Sequence, residues 1–171
     1  MSPPVDIAIW FLDRARAEDT YLQPRKLQCL LFLAQAHFSA AHDGHCLIPA
    51  FFVIDECGPL DPNVYCALQN GRPDIEKTPP SAVIAKFLDA IWTRYKNADA
   101  LRLDQLIARR GIDEQAVSDR DRSEVTSQVT KRMFGSGNGT ENKITTPTLA
   151  ETATGRKVTI TKWTPARKKT S

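Results

Sequence analysis

The stretch that decides the fold is Pro24-Arg25-Lys26-Leu27-Gln28-Cys29-Leu30-Leu31-Phe32-Leu33-Ala34-Gln35-Ala36-His37-Phe38. Pro24 suits the first turn of a helix, where its missing N–H costs nothing. Apolar residues then recur at the spacing of one helical face, and several positions between them are apolar too. A helix that is hydrophobic nearly all round belongs in the middle of a fold. The sequence therefore predicts a central helix that ends before Asp43-Gly44.

Other helices are predicted on both sides of this central helix. Apolar residues at helical spacing, with capping and stop signals, indicate where they lie. The predicted segments are Val5 to about Glu18, residues 62–70 after Asp61, a helix opened by Pro79-Pro80-Ser81 that carries Ile84 to Tyr95, one around Leu103 to Ile107 closed by Gly111, and a last one around Val125 to Met133. The pattern predicts a mainly α protein.

One segment has a different character. Leu47 to Ile54 is short, apolar and partly β-branched, and it lies between Gly44 and the Gly58-Pro59 turn. Such a segment is typical of a strand or of a buried extended stretch. The predicted fold is therefore a compact helical bundle with one small extended or β element after the central helix.

Composition excludes several classes of protein. The chain has 171 residues, of which 42% are hydrophobic and 25% charged, close to the average of soluble globular proteins. No apolar run is long enough to cross a bilayer, and Met1-Ser2-Pro3-Pro4 lacks the pattern of a secretory signal. We therefore expect a cytoplasmic protein without a membrane partner, in which the four cysteines stay reduced.

The charge divides the chain in two. Residues 135–171 carry seven Lys or Arg and two Glu, a net charge of +5, whereas residues 1–134 have a net charge of −2. The boundary is the flexible run Gly135-Ser136-Gly137-Asn138-Gly139-Thr140. We predict a helical domain over 1–134 and a basic, flexible C-terminal tail over 135–171. Candidate partner-binding residues in the tail are Arg156, Lys157, Lys162, Trp163, Arg167, Lys168 and Lys169.

Within the tail, residues 157–163 alternate polar and β-branched or aromatic side chains. The alternation fits a half-buried strand, which could add to the edge of a partner's sheet. It also fits a solvated tail with a chance alternation, the interpretation we favour. The basic charge could bind a phosphate backbone, but without a recognition helix we expect such contact to be weak and non-specific, if it occurs at all.

Catalytic and metal-binding patterns give little support to an enzyme. The cluster His42-Asp43-Gly44-His45-Cys46, with Cys57 and Cys66 downstream, matches no standard zinc spacing. A nucleophilic Cys57 paired with a histidine would be hindered by Asp55 and Glu56, since carboxylates raise a thiol pKa. We therefore expect no catalytic residue, no metal and no cofactor. Two adjacent basic pairs, Arg109-Arg110 and Lys131-Arg132, are interpreted as solvated helix surface. Nearby acids offset their charge, namely Asp104, Asp113, Glu114 and Glu124.

Residues 26–38 resemble the opening motif of the Panacea domain, a family associated with phage and with toxin–antitoxin pairs. Gly44, Leu47, Ala50 and Phe51, then Gly58-Pro59-Leu60 with Pro62, Val64 and Tyr65, continue the similarity in order and spacing, which spans residues 5–110. The motif residues Leu27, Gln28, Leu31, Phe32, Gly58, Pro59 and Tyr65 are interpreted as structural. We expect Gln28, a polar residue on an apolar helix, to cap a buried backbone group.

The resemblance, closest to the SocA-type branch, implies an antitoxin that neutralises a cognate toxin protein. In that branch an antitoxin can be an adaptor that presents its toxin to an AAA+ protease. A folded domain with a separate tail suits an adaptor, because tethering raises the effective concentration of a second partner. The alternative function is a regulatory protein that associates with nucleic acid through the basic tail.

Overall fold

The computed structural model describes residues 3–55, 58–73, 78–110, 148–151 and 157–160. Within these ranges the chain forms α1 (Pro4–Ala17), α2 (Pro24–Ala41), β1 (Val53–Asp55), β2 (Gly58–Leu60), α3 (Pro62–Leu68), α4 (Ala82–Tyr95), α5 (Ala100–Ala108), β3 (Thr148–Glu151) and β4 (Lys157–Ile160). The predicted fold class is confirmed, because the structure is mainly helical with a small antiparallel sheet after the central helix. The last predicted helix, around Val125 to Met133, lies outside the described residues.

Helix α2 lies at the centre, as its sequence predicts. Leu30, Leu31 and Phe32 are all completely buried, although three consecutive residues of a helix point in three different directions. The helix must therefore be surrounded, and it contacts α1, α4, α5 and β2. Each fully buried Leu or Phe side chain contributes about 1.5–3 kcal/mol to folding. This single helix thus organises the hydrophobic core.

Side-chain caps define where three of the helices begin. Asp61 Oδ1 accepts hydrogen bonds from Asn63 N at 2.9 Å and Val64 N at 3.3 Å at the start of α3. Ser81 caps α4 and Asp99 caps α5 in the same way. A cap of this kind stabilises a helix by about 1 kcal/mol. The predicted starts of α3 at Asp61-Pro62 and of α4 at Ser81 are confirmed.

The extended segment is mostly not a strand. Only Val53–Asp55 pairs with another strand, whereas Leu47 and Ile48 are buried in irregular backbone. The reason is Gln35, whose Oε1 accepts hydrogen bonds from Leu47 N at 3.0 Å and Ile48 N at 3.2 Å. A buried side chain therefore satisfies these amides in place of a neighbouring strand.

The interpretation of Gly58-Pro59 as a turn is wrong. Both residues belong to β2, which pairs antiparallel with β1 so that Asp55 lies opposite Gly58 and Val53 opposite Leu60. Gly58 has a φ of +103°, and a Cβ at this position would lie 3.0 Å from Asp104 Oδ1. A glycine is required here by the backbone conformation and by the close approach of α5.

A second antiparallel sheet lies in the region predicted as a tail. Strand β3 pairs with β4, with Thr148 opposite Ile160 and Glu151 opposite Lys157. The structure therefore has a strand over Lys157–Ile160, which is the alternative that we did not favour, and residues 161–163 lie outside the described residues. Among the described helices, none is long and apolar enough to span a membrane.

Candidate partner-binding groove

The motif residues of the sequence analysis divide into a buried set and one exposed side chain. Leu27, Leu31 and Phe32 are at most 3% exposed, and Pro59 is buried in β2. Tyr65, in contrast, is 54% exposed on α3. Burial explains the apolar part of the motif through packing alone. Packing in the core does not explain Tyr65, because this side chain lies on the surface around α3.

Gln28 determines where α3 begins. Its side chain is only 6% exposed, and its Oε1 accepts a hydrogen bond from Asp61 N at 3.0 Å. This bond agrees with the backbone-capping role expected for Gln28. Asp61 is fully buried and in turn caps α3, so a glutamine on α2 positions the helix that carries Tyr65. Gln28 therefore affects the surface around Tyr65 indirectly, by positioning α3.

Tyr65 lies beside an apolar groove between the end of α1, the start of α2 and α3. We call this feature, of about 500 Å³, the tyrosine groove. Tyr21 also lines this groove and is 80% exposed. Five of the groove's apolar lining residues are Leu12, Leu22, Leu27, Val64 and Leu68. At the rim, Arg72 forms an ion pair with Asp13 of α1.

A smaller cleft of about 340 Å³ adjoins the tyrosine groove and shares Gln28 and Tyr65 with it. Beneath it, Asp104 of α5 links two residues of α2. Arg25 Nε donates to Asp104 Oδ2 at 2.6 Å, and Cys29 Sγ donates to Asp104 Oδ1 at 3.0 Å. The carboxylate therefore joins α5 to the first turns of the central helix, directly below Gly58.

The surroundings of the Cys29 thiol in this cleft do not activate it as a nucleophile. Burial, and then the hydrogen bond to Asp104, raise the pKa of Cys29 far above its ordinary value. The reactive thiolate is therefore strongly disfavoured. Among residues 3–55, 58–73 and 78–110, no group of three or more His, Cys, Asp or Glu side chains is placed to hold a metal ion. Cys57, the nucleophile weighed from the sequence, lies outside the described residues.

A second polar cluster lies near the C-terminal ends of α4 and α5. His37 Nε2 is 2.7 Å from the Tyr95 hydroxyl oxygen. Burial, and then the positive charges of Arg94 and Arg110, lower the pKa of His37 to about 4. The imidazole is therefore neutral at physiological pH and serves as a hydrogen-bonding partner of Tyr95.

The basic candidates of the sequence are only partly placed. Lys157 belongs to β4, whereas Arg156, Lys162, Trp163, Arg167, Lys168 and Lys169 lie outside the described residues. Arg109 and Arg110 are exposed at the end of α5, as expected for a helix surface. Of the acids expected to offset their charge, Asp104 is turned inward to Arg25 and Cys29, and the others lie outside the described residues.

The sequence predicted no role for Gln35 or Tyr21, and it placed Asp104 only among the acids near Arg109-Arg110. Gln35 shares with Gln28 a polar side chain on an otherwise apolar helix, so the argument used for Gln28 could have found it. Asp104 and Tyr21 had no such signal, because their roles depend on contacts between distant segments. No protein-family model, curated protein or solved structure matches this chain.

Proposed function

We propose that this chain is a non-enzymatic antitoxin that neutralises a cognate toxin protein by direct binding. The observation that carries the protein-binding part is that two exposed tyrosines, Tyr21 and Tyr65, line the apolar tyrosine groove. Tyrosine is enriched in protein interfaces and among the residues that dominate their binding energy. A groove lined by apolar side chains and two exposed tyrosines suits an apolar segment of a partner protein.

The similarity of residues 26–38 and 58–65 to the Panacea domain supports a toxin as that partner. The chemistry of the described clefts supports a binding role, because the thiol of Cys29 is buried and its pKa is raised. Two modes of neutralisation fit the proposal. The antitoxin blocks the toxin, or it delivers the toxin to an AAA+ protease as an adaptor.

The experiment is co-expression of this chain with the product of the adjacent gene. We expect the adjacent product to arrest growth alone and the full chain to restore growth and to co-purify with it. Tyr65→Ala should weaken this complex by about 2 kcal/mol, roughly thirtyfold in Kd, if the tyrosine is an interface hot spot. The matched control is Val83→Ala, which truncates an exposed apolar side chain that does not line the groove.

A growth-neutral adjacent product, or a complex that Tyr65→Ala and Val83→Ala affect equally, contradicts the proposal. The two modes of neutralisation differ in the toxin's half-life. If the chain is an adaptor, removing the AAA+ protease should abolish rescue and stabilise the toxin. If the chain blocks the toxin, rescue should persist without the protease.

A further inference from the structure

The outward face of α5 forms a second surface, which has no lining residue in common with the tyrosine groove. Leu101, Gln105 and Arg109 recur every four residues and therefore lie on one side of the helix. Leu101 is 67% exposed, and with Arg102 and Leu106 these residues line a shallow cleft of about 660 Å³. We call this surface the arginine face.

The arginine face is positively charged. Among the described residues, neither Arg102 nor Arg109 forms an ion pair. Asp104 is held on the opposite side of the helix by Arg25. Asp99 lies at the end of the cleft, but its Oδ1 accepts a hydrogen bond from Arg102 N as the helix cap.

Two more arginines act on neighbouring groups near the C-terminal end of α5. Burial, and then the charges of Arg94 and Arg110, lower the pKa of His37. Burial raises the pKa of Tyr95, and the same two charges oppose that rise.

We infer that the arginine face binds an acidic amphipathic segment of a partner protein. Carboxylates of the segment would pair with Arg102 and Arg109, since guanidinium groups match carboxylates geometrically. An apolar residue of the segment would cover Leu101. A nucleic-acid backbone would satisfy the charge but would leave this leucine exposed, so the apolar side chain favours a protein. This inference goes beyond the proposed function, because it holds for any partner with such a segment.

The test is fluorescence anisotropy of the full chain with three labelled probes. The first is a short helical peptide with Glu and Leu at a spacing of four residues, the second is its Glu→Gln analogue, and the third is duplex DNA. We expect the acidic peptide to bind more tightly than the other two, with an affinity that falls as salt is added. Arg102→Glu with Arg109→Glu should weaken it by about tenfold or more.

The control is Arg16→Glu with Lys86→Glu, which changes the net charge equally at exposed positions outside the arginine face. Arg102→Gln with Arg109→Gln provides a milder variant, and circular dichroism establishes that each variant is folded. Equal losses in the arginine-face and control variants would show a non-specific charge effect and overturn the inference. Tighter binding of DNA than of the acidic peptide, or no binding of the peptide, would also overturn it. None of these results depends on the adjacent gene product, so they leave the proposed function to its own test.

Discussion

Replacing Gln28 by leucine tests the idea that α2 positions α3. The substitution removes the acceptor of Asp61 N, which lies 3.0 Å from Gln28 Oε1 at a residue with no solvent exposure. A buried amide left without a partner costs about 1–3 kcal/mol, partly offset by the gain from burying leucine. We therefore expect the free energy of unfolding to fall by about 2 kcal/mol, which corresponds to roughly 4–8 °C in Tm for a chain of this size.

The measurement is urea denaturation followed by circular dichroism. A change in the midpoint with an unchanged slope would report a loss of stability alone. Gln23→Leu is the matched control, because Gln23 makes no side-chain capping bond at the start of α2. If both variants lose the same free energy, to within about 0.5 kcal/mol, the hydrogen bond to Asp61 does not stabilise α3 as argued.

Three further outcomes are expected. Gly58→Ala should lower the free energy of unfolding, measured by denaturant unfolding, by about 1 kcal/mol or more beyond the effect of Gly71→Ala. Both glycines have a positive φ, but only at position 58 would a Cβ approach Asp104. Equal losses of free energy in the two variants would contradict this. The pKa of His37 is about 4 in the folded protein, so as the pH falls below about 6.5 the unfolded chain takes up a proton first and the free energy of unfolding decreases. His37→Gln should reduce the loss of this free energy between pH 7 and pH 4.5 by about 2 kcal/mol. Parallel pH profiles of stability for the two proteins would refute this. In native protein, Cys29 should react with a thiol reagent far more slowly than the exposed cysteines, and mass spectrometry of the labelled peptides checks the order.

The helices were predictable because their signals are local. The apolar pattern of α2 and the caps at Asp61 and Ser81 lie within a few residues of the structure they determine. The backbone between Leu47 and Phe52 was not predictable in the same way. Its conformation depends on Gln35, twelve residues before Leu47, and such a side-chain contact leaves no periodic pattern in the sequence.

The candidate site also has parts that local sequence signals predict and parts that depend on contacts between distant residues. Gln28 was singled out correctly because a polar residue on an apolar helix needs a buried partner. The tyrosine groove was not predicted, because Tyr21 and Tyr65 are far apart in the chain and come to line the same groove only when α3 packs against α1. The inward direction of Asp104 was not predicted either, because a list of nearby acids does not show which way each side chain points.

The position of Asp104 has a consequence for the order of events during synthesis. A chain emerging from the ribosome presents α1 to α4 before α5, because synthesis runs from the N-terminus. Until residue 104 has emerged, Cys29 lacks its hydrogen-bond acceptor and Arg25 lacks its counter-ion. The nascent protein therefore passes through a stage in which both α2 side chains lack their α5 partner, and the arrival of α5 ends that stage.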